Sequence, residues 1–437
     1  MSERAAALVI GASVGGLAAA AYLARAGLHT LLLEAGQAPR EPDSALIALD
    51  PRMVSELRLA ASGLSFAVRD LPMALGGDTP LLLGRELYAA SAALAKFSDA
   101  DALAWPTWRR RLATDARRLR RWWWTAPEAG EPNAAWSTGA REAFRHLCFS
   151  GADAYLHARF ETPSLLAGLL WDAGAGGFAV SEPGSALALV WRAAQEMGGL
   201  QEVAAIPHPG TLIGSLTRNL GMAQLRTGTR VTRILTKSGG VTGVVLADGS
   251  EIEADHIVST LSRAKTLALA GLAHVTPSIA EARILLRVAP DFAVPDSPPA
   301  RHILAARPGM HADAHETARA GRIPADLPME WVTMAPGVIS VIARPVPASL
   351  DGQARLRLAA KAVLALSPVM PGLADALIHV DIRLKPQRAR LADLLAPPPS
   401  RLLTPVKGLI LAGEDAEPLP SISGRAGRLA ARLLLSS

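Results

Sequence analysis

The chain has 437 residues, half of them apolar, and a formal net charge of +6. That length accommodates two or three domains with large cores, and one cysteine, Cys148, excludes an internal disulfide and reads as a buried thiol in a reducing compartment. Between Trp105 and Trp124 seven arginines (Arg109, Arg110, Arg111, Arg117, Arg118, Arg120 and Arg121) face one acid, Asp115, which accounts for the whole excess. No second basic patch or reader motif accompanies them, which argues against a nucleic-acid partner.

The first elements in chain order are an apolar strand, Leu8 to Ile10, the turn Gly11-Ala12-Ser13-Val14-Gly15-Gly16, and an alanine-rich helix stopped at Gly27. A second strand, Thr30 to Leu33, ends in Glu34. This is the βαβ dinucleotide fingerprint, with the acid about 20 residues beyond the glycines. Gly11 permits the tight turn, Gly16 allows helix and strand to pack closely, and the helix start offers N–H groups to a pyrophosphate. Glu34 would accept hydrogen bonds from a ribose hydroxyl. The middle glycine is replaced by Ser13, a small residue suited to lie under cofactor phosphates. Two rival readings are weaker. The uncharged run Ala5 to Ala24 has the composition of a signal peptide or membrane span, but embedded glycines and the strand–turn–helix–strand rhythm oppose it. Gly11-Ala12-Ser13-Val14-Gly15 also fits a nucleophile elbow, yet only ten residues precede it, too few for the upstream strands and oxyanion loop.

Residues 41 to 200 read as mixed helix and loop. On a helix, Trp105, Trp108, Leu112, Ala116, Leu119 and Trp123 form one face, with the arginines mostly elsewhere. The arrangement suits either an ordinary domain helix or contact with a membrane surface or an acidic protein. A Gly-rich turn follows at Gly174 to Gly177. Residues 223 to 260 read as a meander: a strand from Gln224 to Val231 continuing to Leu235, then Val241 to Leu246, then Glu251 to Ser259, with turns at Ser238-Gly239-Gly240 and Asp248-Gly249. Later come Met329 to Met334, Val338 to Ala343, Leu356 to Leu366, a short strand from Gly408 to Gly413, and a last helix, Arg425 to Leu435. His311 and His315 around Asp313 have the spacing of half a metal site, with His302 nearby. The polar segment makes scattered histidines the better reading, and no metal is expected. Trp136, Trp171, Trp191 and Trp331 do not share one face and suit the core or an apolar cavity.

The N-terminal fingerprint, the meander TGTRVTRI…GGVTGVVLADGSEIEADHIVST and the tail GLILAGEDAEPLPSISGRAGRLAARLLL together resemble the phytoene-desaturase and amine-oxidase superfamily of FAD-dependent oxidoreductases. The meander and the span from Glu56 to Phe97 resemble bacterial phytoene-desaturase-like proteins; the LPSISG tail resembles the amine-oxidase branch as closely. The resemblance implies an α/β fold: a Rossmann-type FAD-binding domain with a β-meander (residues 1–70, 200–265 and 401–437) and an interleaved α+β substrate or lid domain (71–199 and 266–400). It implies FAD as cofactor, with the adenosine half on Gly11, Ser13, Gly15, Gly16, Glu34 and Ala35. The adenine would lie beside Val231, the pyrophosphate–ribityl region at Gly413 and Glu414, and the isoalloxazine at Ile422 and Gly424.

The implied activity is hydride removal from an apolar substrate, isoprenoid or carotenoid-like. No acid–base residue can be named, and hydride transfer to flavin needs none beyond substrate positioning. The implied setting is cytoplasmic, at or near the inner membrane, and a homodimer would be unsurprising. The alternative is a cofactor-depleted, flavoprotein-like fold that acts as a binding or scaffold partner. It is motivated by Ser13, by Gly36-Gln37-Ala38-Pro39 where the family carries a Gly-Gly loop, and by Pro418-Leu419-Pro420-Ser421 where desaturase tails carry Pro-Gly-Gly-Gly.

Overall fold

The strand Glu3–Ile10 is apolar on both of its faces, as a strand buried on both sides of a sheet must be. Ala7 and Val9 pack into one core, and Leu8 and Ile10 into another. In the computed structural model, which describes residues 3–39, 49–69, 71–76, 80–124, 136–198, 204–208, 210–294, 300–387, 390–396, 398–413, 416 and 423–436, this strand is central to a seven-stranded sheet. Its order is Gln224–Arg226, Thr30–Leu33, Glu3–Ile10, Glu251–Ser259, Gly240–Leu246, Val231–Lys237, with Leu409–Leu411 also paired to Glu251–Ser259. Parallel pairing joins the strands that end near the fingerprint loop. Antiparallel pairing builds the meander. The helices Val14–Arg25, Thr211–Arg218 and Arg425–Ser436 cover one face of the sheet, and the meander core covers the other.

One expectation needs correction. Gln224 does not begin a strand running through Val231 to Leu235. Gln224–Arg226 pairs parallel to Thr30–Leu33 at the sheet edge, and a separate strand, Val231–Lys237, pairs antiparallel with Gly240–Leu246. Gly228, with φ of 65°, turns the chain between them.

A second seven-stranded sheet runs in the order Leu377–Gln387, Ile279–Val288, Val338–Pro347, Met329–Ala335, Arg301–Leu304, Met73–Leu75, Leu81–Leu83. Helix Gly352–Leu366 packs on one face. Helices Pro163–Ala173, Ser185–Gly198 and Asp99–Trp124 build the core on the other side. In helix Asp99–Trp124 the stripe Trp105, Trp108, Leu112, Ala116 and Leu119 is buried in that core, while Arg110, Arg111 and Arg117 are exposed. From Trp105 to Leu119 the apolar stripe therefore serves the domain interior, and Arg110, Arg111 and Arg117 meet solvent; the side chains of Arg120, Arg121 and Trp123 lie outside the described residues. Among the described residues no helix is long and apolar enough to cross a membrane. Trp171, Trp191 and Trp331 are fully buried core residues.

A buried charge network ties Pro163–Ala173 to the second sheet. Arg301 donates to Asp172 (2.7 Å) and Glu330 (2.6 Å), and the Trp171 indole N–H donates to Glu330 (2.8 Å). Arg344 lies 3.9 Å over the Trp171 ring, donates to its carbonyl, and pairs with Glu281 at 2.9 Å. Burial alone would raise the Glu281 carboxyl, but the charges of Arg283, Arg344 and Lys385 hold it at about 2. Burial opposes ionisation of Asp172 too, and Arg301 overrides it, so that carboxyl is lowered.

Candidate dinucleotide site

Four parallel strands end together, at Ile10, Leu33, Ser259 and Leu411. The edge beyond the carboxyl ends of such strands is where open α/β sheets bind ligands. The loop Gly11 to Ser13 crosses this edge. Gly11 has φ of 93°, and a Cβ there would stand 2.2 Å from Thr260 Oγ1; only glycine combines that backbone with that approach. The Thr260 hydroxyl donates to the Ile10 carbonyl (3.0 Å) and lies 3.3 Å from that of Gly11, clamping the turn. Gly15 is equally constrained: its Cβ would lie 2.1 Å from the Ala412 carbonyl oxygen, and one on Gly427 would lie 2.0 Å from the Gly15 carbonyl oxygen. The first and last helices of the chain thus meet backbone to backbone. Gly16 closes on the Gly11 carbonyl, and Gly413 on that of Thr260.

Ser13 is the N-cap of Val14–Arg25, with φ −74° and ψ 174°, and its hydroxyl makes no capping bond. The first turn carries no acid, and the first intrahelical bond runs from the Leu17 N–H to the Ser13 carbonyl. The N–H groups of Val14, Gly15 and Gly16 therefore form the positive end of the helix, with no acid in its own first turn and Glu34 bonded one residue before the cap, at Ala12. Glu34 is fixed by the loops on either side. One carboxylate oxygen accepts from the Ala12 N–H (2.7 Å) and the other from the Gly36 N–H (2.8 Å), which leaves each with capacity for another donor. The Glu34 backbone is tied at both ends: its N–H donates to Arg226 and its carbonyl accepts from Thr229, while Gly228 N–H donates to Gly36. Glu34, Ala35 and the start of the Val231 strand are thereby held at one end of the sheet.

Of the residues expected from sequence, Gly11, Ser13, Gly15, Gly16, Glu34, Ala35 and Gly413 lie along this edge; Val231 pairs with Leu246 in the meander, two residues after Thr229, whose N–H bonds the Glu34 carbonyl. Glu414 and Ile422 lie outside the described residues. Sequence reasoning missed Thr260 and Ala412, whose only local signal is their position just beyond apolar strands. It also missed the pair Asp50–Arg428 (2.7 Å, both buried), which joins the helix Pro51–Glu56 to the terminal helix. An arginine amid the small and apolar residues of a terminal helix was a signal for a buried partner, but nothing nearby in sequence identified it.

The histidines of helix Met310–Arg319 serve its packing. His311 Nε2 bonds the Ala167 carbonyl at 2.8 Å and His315 Nε2 the Gly177 carbonyl at 3.3 Å, while Asp313 pairs with Arg307. Burial pushes His311 down to about 4. His302 stacks on Trp331 at 3.9 Å, and burial lowers its pKa. Burial also pushes the Cys148 thiol up to about 12, which makes it unreactive.

Residues 68–278 match the model of the family described as flavin containing amine oxidoreductase. Hydroxyneurosporene desaturase of Cereibacter sphaeroides is 29% identical over 310 residues, which make up 57% of this chain and 55% of that protein. The chain thus aligns with about half the length of that curated relative. Among solved structures, a redesigned putrescine oxidase superposes with a TM-score of 0.62 at 12% identity, over 100% of both chains. The Rab GDI of Plasmodium falciparum superposes with a TM-score of 0.56 at 9% identity, over 99% of this chain and 97% of that one. The fold is that of the flavin amine oxidases, and the chain is similar in sequence to the flavin containing amine oxidoreductase family and to a carotenoid-type desaturase, both within the phytoene-desaturase and amine-oxidase superfamily that its motifs resemble.

Proposed function

We propose that this protein is an FAD-dependent oxidoreductase that removes a hydride from an apolar substrate of isoprenoid or carotenoid type. The observation that carries the reading is the single edge on which the Thr260-clamped glycine turn, the acid-free helix start and the doubly anchored Glu34 converge. These residues fit the cofactor: glycines admit close backbone approach, the helix start favours the pyrophosphate, and Glu34 has acceptor capacity left for ribose hydroxyls. Val231 stands for the adenine side, Gly413 and Glu414 for the pyrophosphate–ribityl side, and Ile422 for the ring. When bound, FAD supplies the hydride acceptor; the chain's part is to orient, to exclude water and to hold charge. We assign residues 1–70, 200–265 and 401–437 to the flavin half and 71–199 and 266–400 to the substrate half. The substrate class is supported by the hydroxyneurosporene desaturase relative. Anaerobic mixing with a long-chain isoprenoid polyene should bleach the flavin absorption, whereas a primary amine should not; the reverse result would assign amine oxidation instead.

The exposed arginine face of Asp99–Trp124 is our proposed contact with an anionic membrane surface. Since the tryptophan stripe faces inward, the contact is electrostatic and salt-sensitive. Co-sedimentation with anionic vesicles should fall when Arg117 and Arg118 are both changed to Gln.

A second reading, a non-catalytic partner protein on the same fold, is favoured by Ser13 and by Gly36-Gln37-Ala38-Pro39 in place of a Gly-Gly loop. An apoprotein that cannot be reconstituted with FAD would select it.

A further inference from the structure

A cavity of about 590 Å³ opens between helices Asp99–Trp124, Thr138–Phe149 and Ala152–His157, none of which supplies a residue to the strand-end edge. That volume suits a small organic molecule. Trp108, Asp115, Leu147 and Tyr155 form a buried floor, and Arg111 and Arg159 stand at the mouth.

The cavity is rich in donors and poor in acceptors. Trp108 is only 6% exposed, yet its indole N–H closes no hydrogen bond, although the Tyr155 hydroxyl stands close by. A buried donor in that state carries its desolvation penalty until an acceptor arrives. Burial raises the Tyr155 hydroxyl, so it remains a protonated donor. Arg159 lies 3.7 Å over the Tyr155 ring centroid, its fork fixed by the stack. Asp115, the one carboxylate lining the cavity among the described residues, is already claimed by Arg111 at 2.9 Å and Arg118 at 3.3 Å. Three guanidinium groups against one carboxylate leave the local field positive. The remaining walls are Ala104, Ala143 and Ala158 beside Leu147, with the Thr107 hydroxyl and the His146 ring at the exposed side.

We propose that this cavity is a second binding site, for a small aryl carboxylate, whose carboxylate accepts from Trp108, the Tyr155 hydroxyl and Arg159 and whose ring lies against Leu147 and the alanines. The proposal is independent of the flavin reading.

The test is calorimetric titration of the full chain with benzoate, and with benzyl alcohol and benzylamine as neutral and cationic probes of like shape. Benzoate should bind at least ~10-fold tighter than either, as a charge-assisted bond to a guanidinium requires. Two variants should each weaken benzoate ~10-fold or more, with the circular dichroism unchanged: Arg159→Met removes the guanidinium, and Ala143→Phe fills the space without removing a polar group. If either variant unfolds, Tyr155→Phe, which deletes one hydroxyl, should still weaken binding measurably. Binding that is equal in the wild type and the folded variants, no preference over benzyl alcohol, or no heat and no saturation transfer by NMR overturns the proposal. Glu34→Ala acts only at the strand-end edge and should leave benzoate affinity unchanged, so failure of this site and failure of the flavin site are separable.

Discussion

At the scale of single residues, the strand-end edge is specified by close approach and by backbone donors. Adding one methyl at Gly15 drives it into the Ala412 carbonyl and against the terminal helix. Gly15→Ala should therefore destabilise the fold by ~1–3 kcal/mol through overpacking and lower flavin retention, as read by urea denaturation and by the absorbance of the purified protein. Glu34 makes a different demand. Its anchoring bonds to Ala12 and Gly36 orient acceptors for a ribose, so Glu34→Ala should weaken FAD ~10-fold or more, given 1.5–3 kcal/mol for a hydrogen bond to a charged group. Fluorescence titration of the apoprotein measures it; unchanged affinity would remove Glu34 from the site. The glycines and Glu34 were legible in sequence because their roles are local, set within one βαβ unit. Thr260 was not, because its clamp on the Gly11 turn exists only once two strands 250 residues apart lie side by side.

At the scale of elements, helix Pro163–Ala173 is fixed to the second sheet by charges, and the consequences can be measured. Glu330→Ala leaves Arg301 short of a buried partner, and about 3–5 kcal/mol of stability should go with it. The triple change Arg301→Met, Glu330→Met and Asp172→Asn should cost much less, because Asp172 also pairs with Arg301 and no charge of the network is then stranded; a loss equal to that of Glu330→Ala would contradict the pairing. Helix Met310–Arg319 makes stability pH-dependent in a defined direction. His311 sits at about 4 in the fold against an ordinary 6.5, so the unfolded chain binds the extra proton between those values. Its contribution is intact above pH 6.5 and is lost as pH falls toward 4. His311→Gln should flatten that part of the stability curve, as followed by melting temperature from pH 7.5 to 4.5. Most of these elements could be read from periodicity. The break at Gly228 could not, since Gln224 to Leu235 alternates as a single strand would. The histidine pair was legible as a spacing, but its carbonyl partners, Ala167 and Gly177, belong to another segment.

At the scale of the whole molecule, the chain crosses repeatedly between two sheets. The ribbon of Phe66–Arg69 with Ala204–Pro207 shows how distant segments are brought side by side. The nucleotide sheet was foreseeable, because its fingerprint, meander and terminal strand each carry a local signature. The second sheet was legible only as scattered strands. Its order places Met73–Leu75 beside Arg301–Leu304, a pairing set by tertiary packing alone. The Trp/Arg helix shows the same division: its amphipathic stripe was plain in the sequence, but only the structure shows that the stripe is core. The central claim is that the strand-end edge holds FAD despite Ser13 and the missing Gly-Gly loop. Its most direct test is the visible spectrum of the protein as purified, repeated after stripping and reconstitution with FAD. A flavin spectrum at close to one equivalent per chain, lost in Glu34→Ala, is the predicted result; a colourless protein that takes up no FAD would contradict it.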